Sequence, residues 1–341
     1  MSARIRIAVD AMSGDLGPRV AICAAQNFIA HFQDVDVLLV GDESRLLPFI
    51  SPKTISSGRI SVHHAATIVA MGDDPLHALR RKKDSSMWLS LTRLRDGAAD
   101  ACVSAGNTGA LLAMSKFLVK SFPGLDRPAI CKPMPVEKGL TFMLDLGANV
   151  NCTPMQLHQF AVMGSVLAKA KGLESPRIAL LNIGAEEQKG TEVLQQAREL
   201  LTADSDINYS GFVEANSIFS GDVDVIVCDG FHGNIALKAS EGVARFIQKK
   251  IAKTAKKNLF NKFMAMLAWP LLRQMRDELD PSFYNGASLL GLQKPVIKSH
   301  GNANSAAFFR ALTVAREQVI QQIPALIEKK FNLNIPPKRE E

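Results

Sequence analysis

Residues 223–238, Val-Asp-Val-Ile-Val-Cys-Asp-Gly-Phe-His-Gly-Asn-Ile-Ala-Leu-Lys, change character in their middle. Val223, Val225, Ile226 and Val227 read as a buried strand, Asp229 to Asn234 as a turn with two glycines, and Ile235 as a helix start. Glycines let the backbone turn tightly and approach a ligand, and a helix N-terminus facing such a turn favours an anion. The plan recurs at Val103-Ser104-Ala105-Gly106-Asn107-Thr108-Gly109-Ala110, where helical Leu111-Leu112-Ala113-Met114 follows. Looser versions stand at Val9 to Asp15, Leu144 to Asn149, Leu181 to Gly184 and Ile297 to Asn302. In open α/β sheets the ligand crevice lies outside the carboxyl ends of the strands. The six turns are therefore expected to line one shared site for a small anionic ligand.

Working outward, 341 residues suffice for one large α/β domain, 1–341, or for two interwound subdomains. No linker rich in Gly, Ser or Pro marks a boundary. Met1 to Arg6 runs straight into strand-like Ile7-Ala8-Val9, so no secretory signal is expected, and no apolar run reaches the roughly 18 residues of a membrane span. Five cysteines without close pairing, at 23, 102, 131, 152 and 228, exclude a C-x-x-C metal site and point to a reducing cytoplasm. Cys102 and Cys228, in apolar runs, read as buried structural thiols.

The net charge of +7 is local. Nine Lys and Arg residues and no acidic ones fall between Glu241 and Asp277, which leaves −2 for the rest. A nucleic-acid groove would spread its basic residues and interleave aromatics for stacking, so nucleic acid is not an expected partner. A second cluster, Arg80-Arg81-Lys82-Lys83, precedes Ser85-Ser86, which suit the cap of a helix over 87–95.

Strand and helix alternate through 101–120, 140–170, 178–202, 207–214 and 223–250, as in βα units. Ala129 to Val136 and Leu140 to Leu144 flank Glu137-Lys138-Gly139 and read as a hairpin, so the sheet is mixed. A last long helix covers about 303–329. Residues 245–283 break the pattern as an inserted amphipathic helical hairpin. Phe260, Phe263, Met264, Leu267 and Ala268 share one face, and Pro270 is expected to end the helix just after Trp269, leaving Met264 to Leu272 as an uncharged tip.

Absent motifs narrow the chemistry. No G-x-S-x-G elbow, G-x-x-x-x-G-K-[ST] loop or G-x-G-x-x-G fingerprint occurs, and the seven histidines show no metal-ligand spacing. Neither a metal nor an organic cofactor is expected. A dehydrogenase would need a metal-binding carboxylate cluster, and the Asp residues are dispersed.

Taken together, Asp10-Ala11-Met12-x-Gly14-Asp15, Ala78 to Met87, Ser104 to Ala110, Leu144-Asp145-x-Gly147-Ala148-Asn149, Asn182-Ile183-Gly184-x-Glu186-Glu187-x-Lys189-Gly190, Cys228-Asp229-Gly230-Phe231-x-Gly233-Asn234, Tyr284 to Ala287 and Ser299-His300-Gly301 closely resemble the bacterial phosphate acyltransferase (PlsX) family. The match runs in order from residue 7 to about 310. The resemblance implies acyl transfer from acyl-acyl carrier protein to inorganic phosphate, giving acyl phosphate for phospholipid synthesis. It also implies a homodimer and an α/β fold. That fold is a three-layer α/β/α sandwich with a mixed, largely parallel sheet, similar to isocitrate and isopropylmalate dehydrogenases and to phosphate acetyltransferases, here with a projecting hairpin. Ser13, Ala185 and His232 depart from the residues usual in the family, and no family role is carried onto the His232 side chain.

Such a reaction needs no covalent intermediate, because phosphate is the nucleophile and a thiol of pKa ~8.5 leaves with little help. The protein must position phosphate against the thioester and stabilise the oxyanion. Lys189, Asn107, Asn234, Asp229 and His232 form the expected catalytic set, with Lys189 as the charge beside phosphate; Asp145 and Asp229 equally suit anchoring of loop amides. Ser13, Gly14, Gly106, Thr108, Gly109, Asn149, Gly230, Gly233 and His300 are the expected substrate-binding set. Acyl carrier protein is expected to dock on Arg80, Arg81, Lys82 and Lys83, or on Lys249 to Lys257. Phe260, Phe263, Leu267 and Trp269 are expected either to contact an anionic membrane surface, making the protein cytoplasmic and peripherally membrane-associated, or to pack in a dimer. Two alternatives remain: a short-chain phosphotransacetylase using coenzyme A, and a non-enzymatic phosphate-binding or membrane adaptor protein.

Overall fold

Runs such as Ile7-Ala8-Val9 and Val225-Ile226-Val227 have no polar face, and each is buried on both sides of one sheet. The computed structural model describes residues 4–279 and 284–332. Its strands are β1 (Ile5–Asp10), β2 (Val35–Gly41), β3 (Ile60–His64), β4 (Ala101–Ser104), β5 (Ala129–Val136), β6 (Gly139–Leu144), β7 (Arg177–Asn182), β8 (Asn208–Glu214), β9 (Val225–Val227), β10 (Ala287–Leu290) and β11 (Val296–Lys298). They form one sheet in the order β3-β2-β1-β4-β11-β10-β5-β6-β9-β7-β8.

The helices are α1 (Pro18–His31), α2 (Glu43–Leu46), α3 (Pro52–Ser56), α4 (Pro75–Arg81), α5 (Ser86–Arg95), α6 (Thr108–Leu118), α7 (Pro154–Ala170), α8 (Glu192–Ala203), α9 (Gly230–Ala255), α10 (Leu259–Leu267), α11 (Trp269–Leu279), α12 (Ser305–Ile320) and α13 (Ile323–Asn332). Strand periodicity sorts side chains to two faces. Cys102, Met143 and Ile226 face Met87, Leu91, Leu111 and Met114 of α5 and α6, with Leu237 of α9 against the same cluster. Their neighbours point the other way: Ala101 and Val103 meet Phe28 of α1 and Phe308 of α12, while Phe142, Leu144, Val225 and Val227 meet Phe160 of α7 and Leu201 of α8. The result is helices on both faces of a mixed, mostly parallel sheet, the α/β sandwich expected from the alternation.

Strand direction overturns one expectation. The pairs β11/β10, β10/β5 and β5/β6 are antiparallel, and the remaining neighbours are parallel. Three reversals leave β6, β9, β7 and β8 running opposite to β3, β2, β1, β4 and β11. The carboxyl ends of the two groups lie on opposite edges of the sheet, so within one chain the six glycine turns divide between two edges.

Local boundaries differ from the expectations in instructive ways. Helix α9 begins at Gly230, capped by the Asp229 carboxylate, and the expected turn at 229–234 is its first turn. The glycines are there for clearance: a Cβ on Gly233 would lie 1.9 Å from the Asp145 carbonyl oxygen, and one on Gly230 would lie 2.8 Å from that of Asn149. Ser85 does cap α5, receiving the Trp88 N–H at 3.3 Å. The last helix is broken at Gln321 and Gln322, the latter with φ 52°, into α12 and α13. In the expected hairpin, residue 245 lies inside unbroken α9, and residues 280–283 fall outside the described residues. The break after α10 comes at Ala268, ahead of Trp269, and Pro270 sits in the first turn of α11, where its missing N–H costs nothing. No residue of α10 is buried.

Gly233→Ala should lower stability by on the order of 3 kcal/mol in urea denaturation, since a methyl group cannot fit against fixed backbone. Gly242→Ala, on the same helix with nothing within 4 Å of its Cβ position, should raise it by about 0.5–1 kcal/mol.

Candidate functional site

At the first edge, where β1, β4 and β11 end, a buried carboxylate ties the loops together. Asp10 accepts the Ser86 and Ser104 hydroxyls at 2.6 and 2.7 Å. Burial pushes its carboxyl above the ordinary value, and these hydroxyls pull it back. Ser13 donates to the Asp10 carbonyl at 2.9 Å and receives the Ala105 N–H at 3.0 Å. Gly14 takes a left-handed φ of 95°, and the Asp15 N–H reaches the Gly301 carbonyl at 2.7 Å. Ser13, Gly14, Gly106, Asn107, Thr108, Gly109 and His300 thus share this edge.

Asn107 is a positioning residue, which corrects its expected role as a donor to the ligand. Its Oδ1 caps α6 through the Ala110 N–H at 3.0 Å, and its amide donates to the Met71 and Asp73 carbonyls at 2.8 and 3.0 Å. Thr108, by contrast, is exposed in the first turn of α6. Lys82 binds the same 68–73 loop, through Asp73 at 2.6 Å and the Ile68 carbonyl at 2.9 Å, and so leaves the expected basic patch. Arg80, Arg81 and Lys83 remain exposed, Lys83 with its ammonium 5.8 Å from the Trp88 ring centroid.

Beside His300 a cleft of about 230 Å³ opens between Lys132 of β5, Glu241 and Arg245 of α9, and Asn302 and Asn304 leading into α12. Asn285 fixes its back wall, donating to the Ser299 hydroxyl and the Ala307 carbonyl at 2.8 Å each and accepting the His300 N–H at 2.9 Å. Burial holds the His300 imidazole below its ordinary value, against the pull of Glu241. Sequence reading missed Lys132 and Glu241, and it quoted Asn285 and Lys298 in their motifs without giving either a place among the site residues. The available signal was a lysine inside an apolar strand run, present at both Lys132 and Lys298.

At the second edge, where β6, β9 and β7 end, Asp145 is fully buried and accepts five N–H bonds: from Ile130, Gly147, Ala148 and Asn149 of the backbone and from the Asn149 amide, at 2.6 to 3.2 Å. Asn149 spends its other amide hydrogen on the Pro128 carbonyl at 2.9 Å and receives the Gly230 N–H at 2.7 Å. Asp145 and Asn149 are therefore anchors; Asn149 has no donor left for a ligand.

Asp229, Gly230, His232, Gly233, Asn234 and Lys189 also belong to this edge. The Asp229 carboxylate accepts the His232 N–H at 2.9 Å and lies 2.8 Å from His232 Nδ1, which leaves Nε2 turned away from the pair. The Asn234 amide packs over Gly147 and makes no hydrogen bond among the described residues. Lys189 sits on the loop after β7, about half exposed and 3.0 Å from Glu186, and the Asn182 amide holds its carbonyl at 3.0 Å. Glu241 follows Gly230 by eleven residues on α9, so the cleft and this cradle are about 16 Å apart at 1.5 Å per residue.

Cys102, Cys131 and Cys228 are buried, and burial pushes their thiols up.

Lys298 offers a stability test. Burial pushes its ammonium down to about 8, with Asp15 and Asp10 pulling it back. The unfolded chain holds this proton more tightly, so the charge costs up to about 3 kcal/mol at neutral pH, a cost that shrinks as pH rises through 8 towards ~10.5. Lys298→Met should raise the urea midpoint at pH 7, with the advantage over the parent fading by pH 10. An unchanged midpoint at pH 7 would count against a strained charge.

Residues 5–326 match the family described as "Fatty acid synthesis protein". The phosphate acyltransferase of Cellvibrio japonicus is 62% identical over 334 residues, covering 98% of this chain and 100% of that protein. Among solved structures, a phosphotransacetylase from Streptococcus pyogenes superposes with a TM-score of 0.66 at 14% identity, covering 94% of this chain and 95% of that one. A 4-hydroxythreonine-4-phosphate dehydrogenase from Klebsiella pneumoniae does so with a TM-score of 0.52 at 12% identity, covering 93% and 99%. At these identities the two structures share the fold with this chain.

Proposed function

The chain belongs to the fatty acid synthesis protein family of phosphate acyltransferases and is an acyltransferase enzyme; from that membership we propose that it moves a long-chain acyl group from acyl-acyl carrier protein to inorganic phosphate. The product is acyl phosphate for phosphatidic acid synthesis. The observation that carries the reading is the cradle at the start of α9. There the Phe231 N–H in the first turn and the unengaged Asn234 amide flank a helix N-terminus, with Lys189 on the adjoining loop. Phosphate held there is attracted by the helix dipole and by the ammonium, which also lessen repulsion between its charge and the oxyanion that forms on attack. Collapse of the tetrahedral species expels the thiolate. From the catalytic set of the sequence reading, Asn234, Asp229 and His232 are proposed to serve this cradle with Lys189 reaching it from the loop after β7, and Asp229 is the cap and partner of His232.

The carrier protein is proposed to dock at the first edge, where Arg80, Arg81 and Lys83 stand exposed and the basic outer half of α9 begins at Arg245. Its thiol arm then runs along α9 past Thr108 and His300. Acidic partners are steered by such surfaces, so binding weakens with salt. Two copies of the chain are proposed to form the working unit. The hairpin of α10 and α11 is proposed to rest on an anionic membrane from the cytoplasmic side. Phe260, Phe263, Leu267 and Trp269 are 53–70% exposed, and among the described residues no helix is long and apolar enough to cross a membrane. A short-chain coenzyme A enzyme would share the fold but leave this apolar projection without a use.

The test of function is thiol release from purified long-chain acyl carrier protein, dependent on added phosphate; release independent of phosphate would defeat the reading. Lys189→Met should raise the phosphate concentration for half-maximal rate by tenfold or more while leaving that for the acyl donor nearly unchanged, the loss of one charged contact being worth about 1.5–3 kcal/mol. An unaltered phosphate dependence would remove Lys189 from the site. Leu267→Glu should release the protein from anionic vesicles in a flotation assay while the dimer and its activity on soluble donor persist. Loss of the dimer with vesicle binding intact would instead assign this face to the subunit contact.

A further inference from the structure

Among the described residues, the cleft beside His300 is lined by one carboxylate and by more positive groups than it can satisfy. Glu241 Oε1 lies 3.4 Å from Lys132 Nζ, and Oε2 lies 3.9 Å from Arg245 and 3.8 Å from His300 Nε2. Charge-assisted N–O bonds close to about 2.7–2.9 Å, so one carboxylate is shared loosely among two full cations and an imidazole. Lys132 and Glu241 have side chains only 10% exposed, where an incompletely paired ammonium is costly. The start of α12, capped by Asn304, lines the same cleft through Asn304 and Ala307 and adds the partial positive charge of a sixteen-residue helix. A volume of about 230 Å³ exceeds several waters at ~30 Å³ each and admits a tetrahedral oxyanion with part of a chain attached.

We propose that this cleft binds a phosphate group through Lys132, Arg245, His300 and the first turn of α12, with Glu241 as the fixed counter-charge that holds the cations in place. Two sources carry that chemistry: inorganic phosphate, and the phosphodiester that links the donor's thiol arm to its carrier. The second source rests on the proposed acyl-transfer reading. It also fits the spacing, since the arm would extend along α9 from the cleft towards the cradle about 16 Å away.

Two measurements test the site. In the free protein, inorganic phosphate is titrated while the His300 imidazole is followed by NMR, with chloride at matched ionic strength as the control. A saturable shift with phosphate alone, lost in Lys132→Met, is expected. No shift, or an equal response to chloride, would overturn the proposal. Arg245→Gln, at a half-exposed helical position, serves as a second variant should the buried substitution impair folding; it should weaken phosphate binding at least fivefold, and undiminished binding would count against the site. In steady-state kinetics, a tenfold rise in the apparent KM for the carrier-linked donor with that for inorganic phosphate unchanged identifies the phosphodiester. The reverse pattern identifies inorganic phosphate, and no change in either, together with no phosphate-specific shift of His300, would overturn the site. Because the NMR titration needs no turnover, loss of acyl transfer with phosphate binding intact would sink the proposed reaction and leave the site standing.

Discussion

Asp145 is the constraint on which the second edge depends. Its buried carboxylate is costly in an apolar sheet, and five N–H bonds offset that cost by wrapping residues 147–149 around it. Burial pushes the carboxyl up while those bonds pull it down. The wrapped loop then presents the Asn149 carbonyl to the Gly230 N–H, and the Asp145 carbonyl sits where any side chain on Gly233 would be. The first turn of α9 is therefore seated directly on the loop, and the position of Asp229, His232 and Asn234 follows from it. A pair of anchors that could have been mistaken for catalytic groups instead sets the geometry of the groups that remain free.

The first edge is built on a matching device of different chemistry. There the buried Asp10 carboxylate collects two serine hydroxyls, Ser86 from the start of α5 and Ser104 from the end of β4, and the neighbouring glycine turns close against one another through Asp15 and Gly301. Asn107 and Lys82 add a further tie to residues 68–73. Both edges thus consume their most conspicuous polar residues in holding loops. Of the site residues expected from the sequence, Thr108 and His300 on one side and Asn234, His232 and Lys189 on the other are not among these loop anchors.

Helix α9 joins the two. It starts on the Asp145 loop, packs Ala236 and Leu237 against the core, passes the cleft at Glu241 and Arg245, and continues outward with Val243, Phe246, Ile247 and Ile251 exposed. Unbroken length is what lets one helix belong to a cradle, a cleft and a projection at once. Beyond Ala255 the apolar residues of α10 have no core to enter, which is why the same periodicity that buries α7 leaves this stretch at the surface.

Periodicity and turn chemistry in the amino-acid sequence were enough to determine the α/β class, the β5–β6 hairpin and the glycine turns that follow strand ends, because these depend on neighbours close along the chain. The ordered set of short motifs likewise identified the family. Strand direction was a different matter: three antiparallel pairings among β11, β10, β5 and β6 involve residues up to about 160 positions apart, and they alone decide that the glycine turns face two edges. Nor could local pattern tell that the amides of Asn107 and Asn149 are already engaged, since their partners lie at residues 71, 73, 128 and 145. Lys132 met Glu241 and His300 only when β5, α9 and the end of β11 came together, for a charge in a strand reveals its partner only through the tertiary fold.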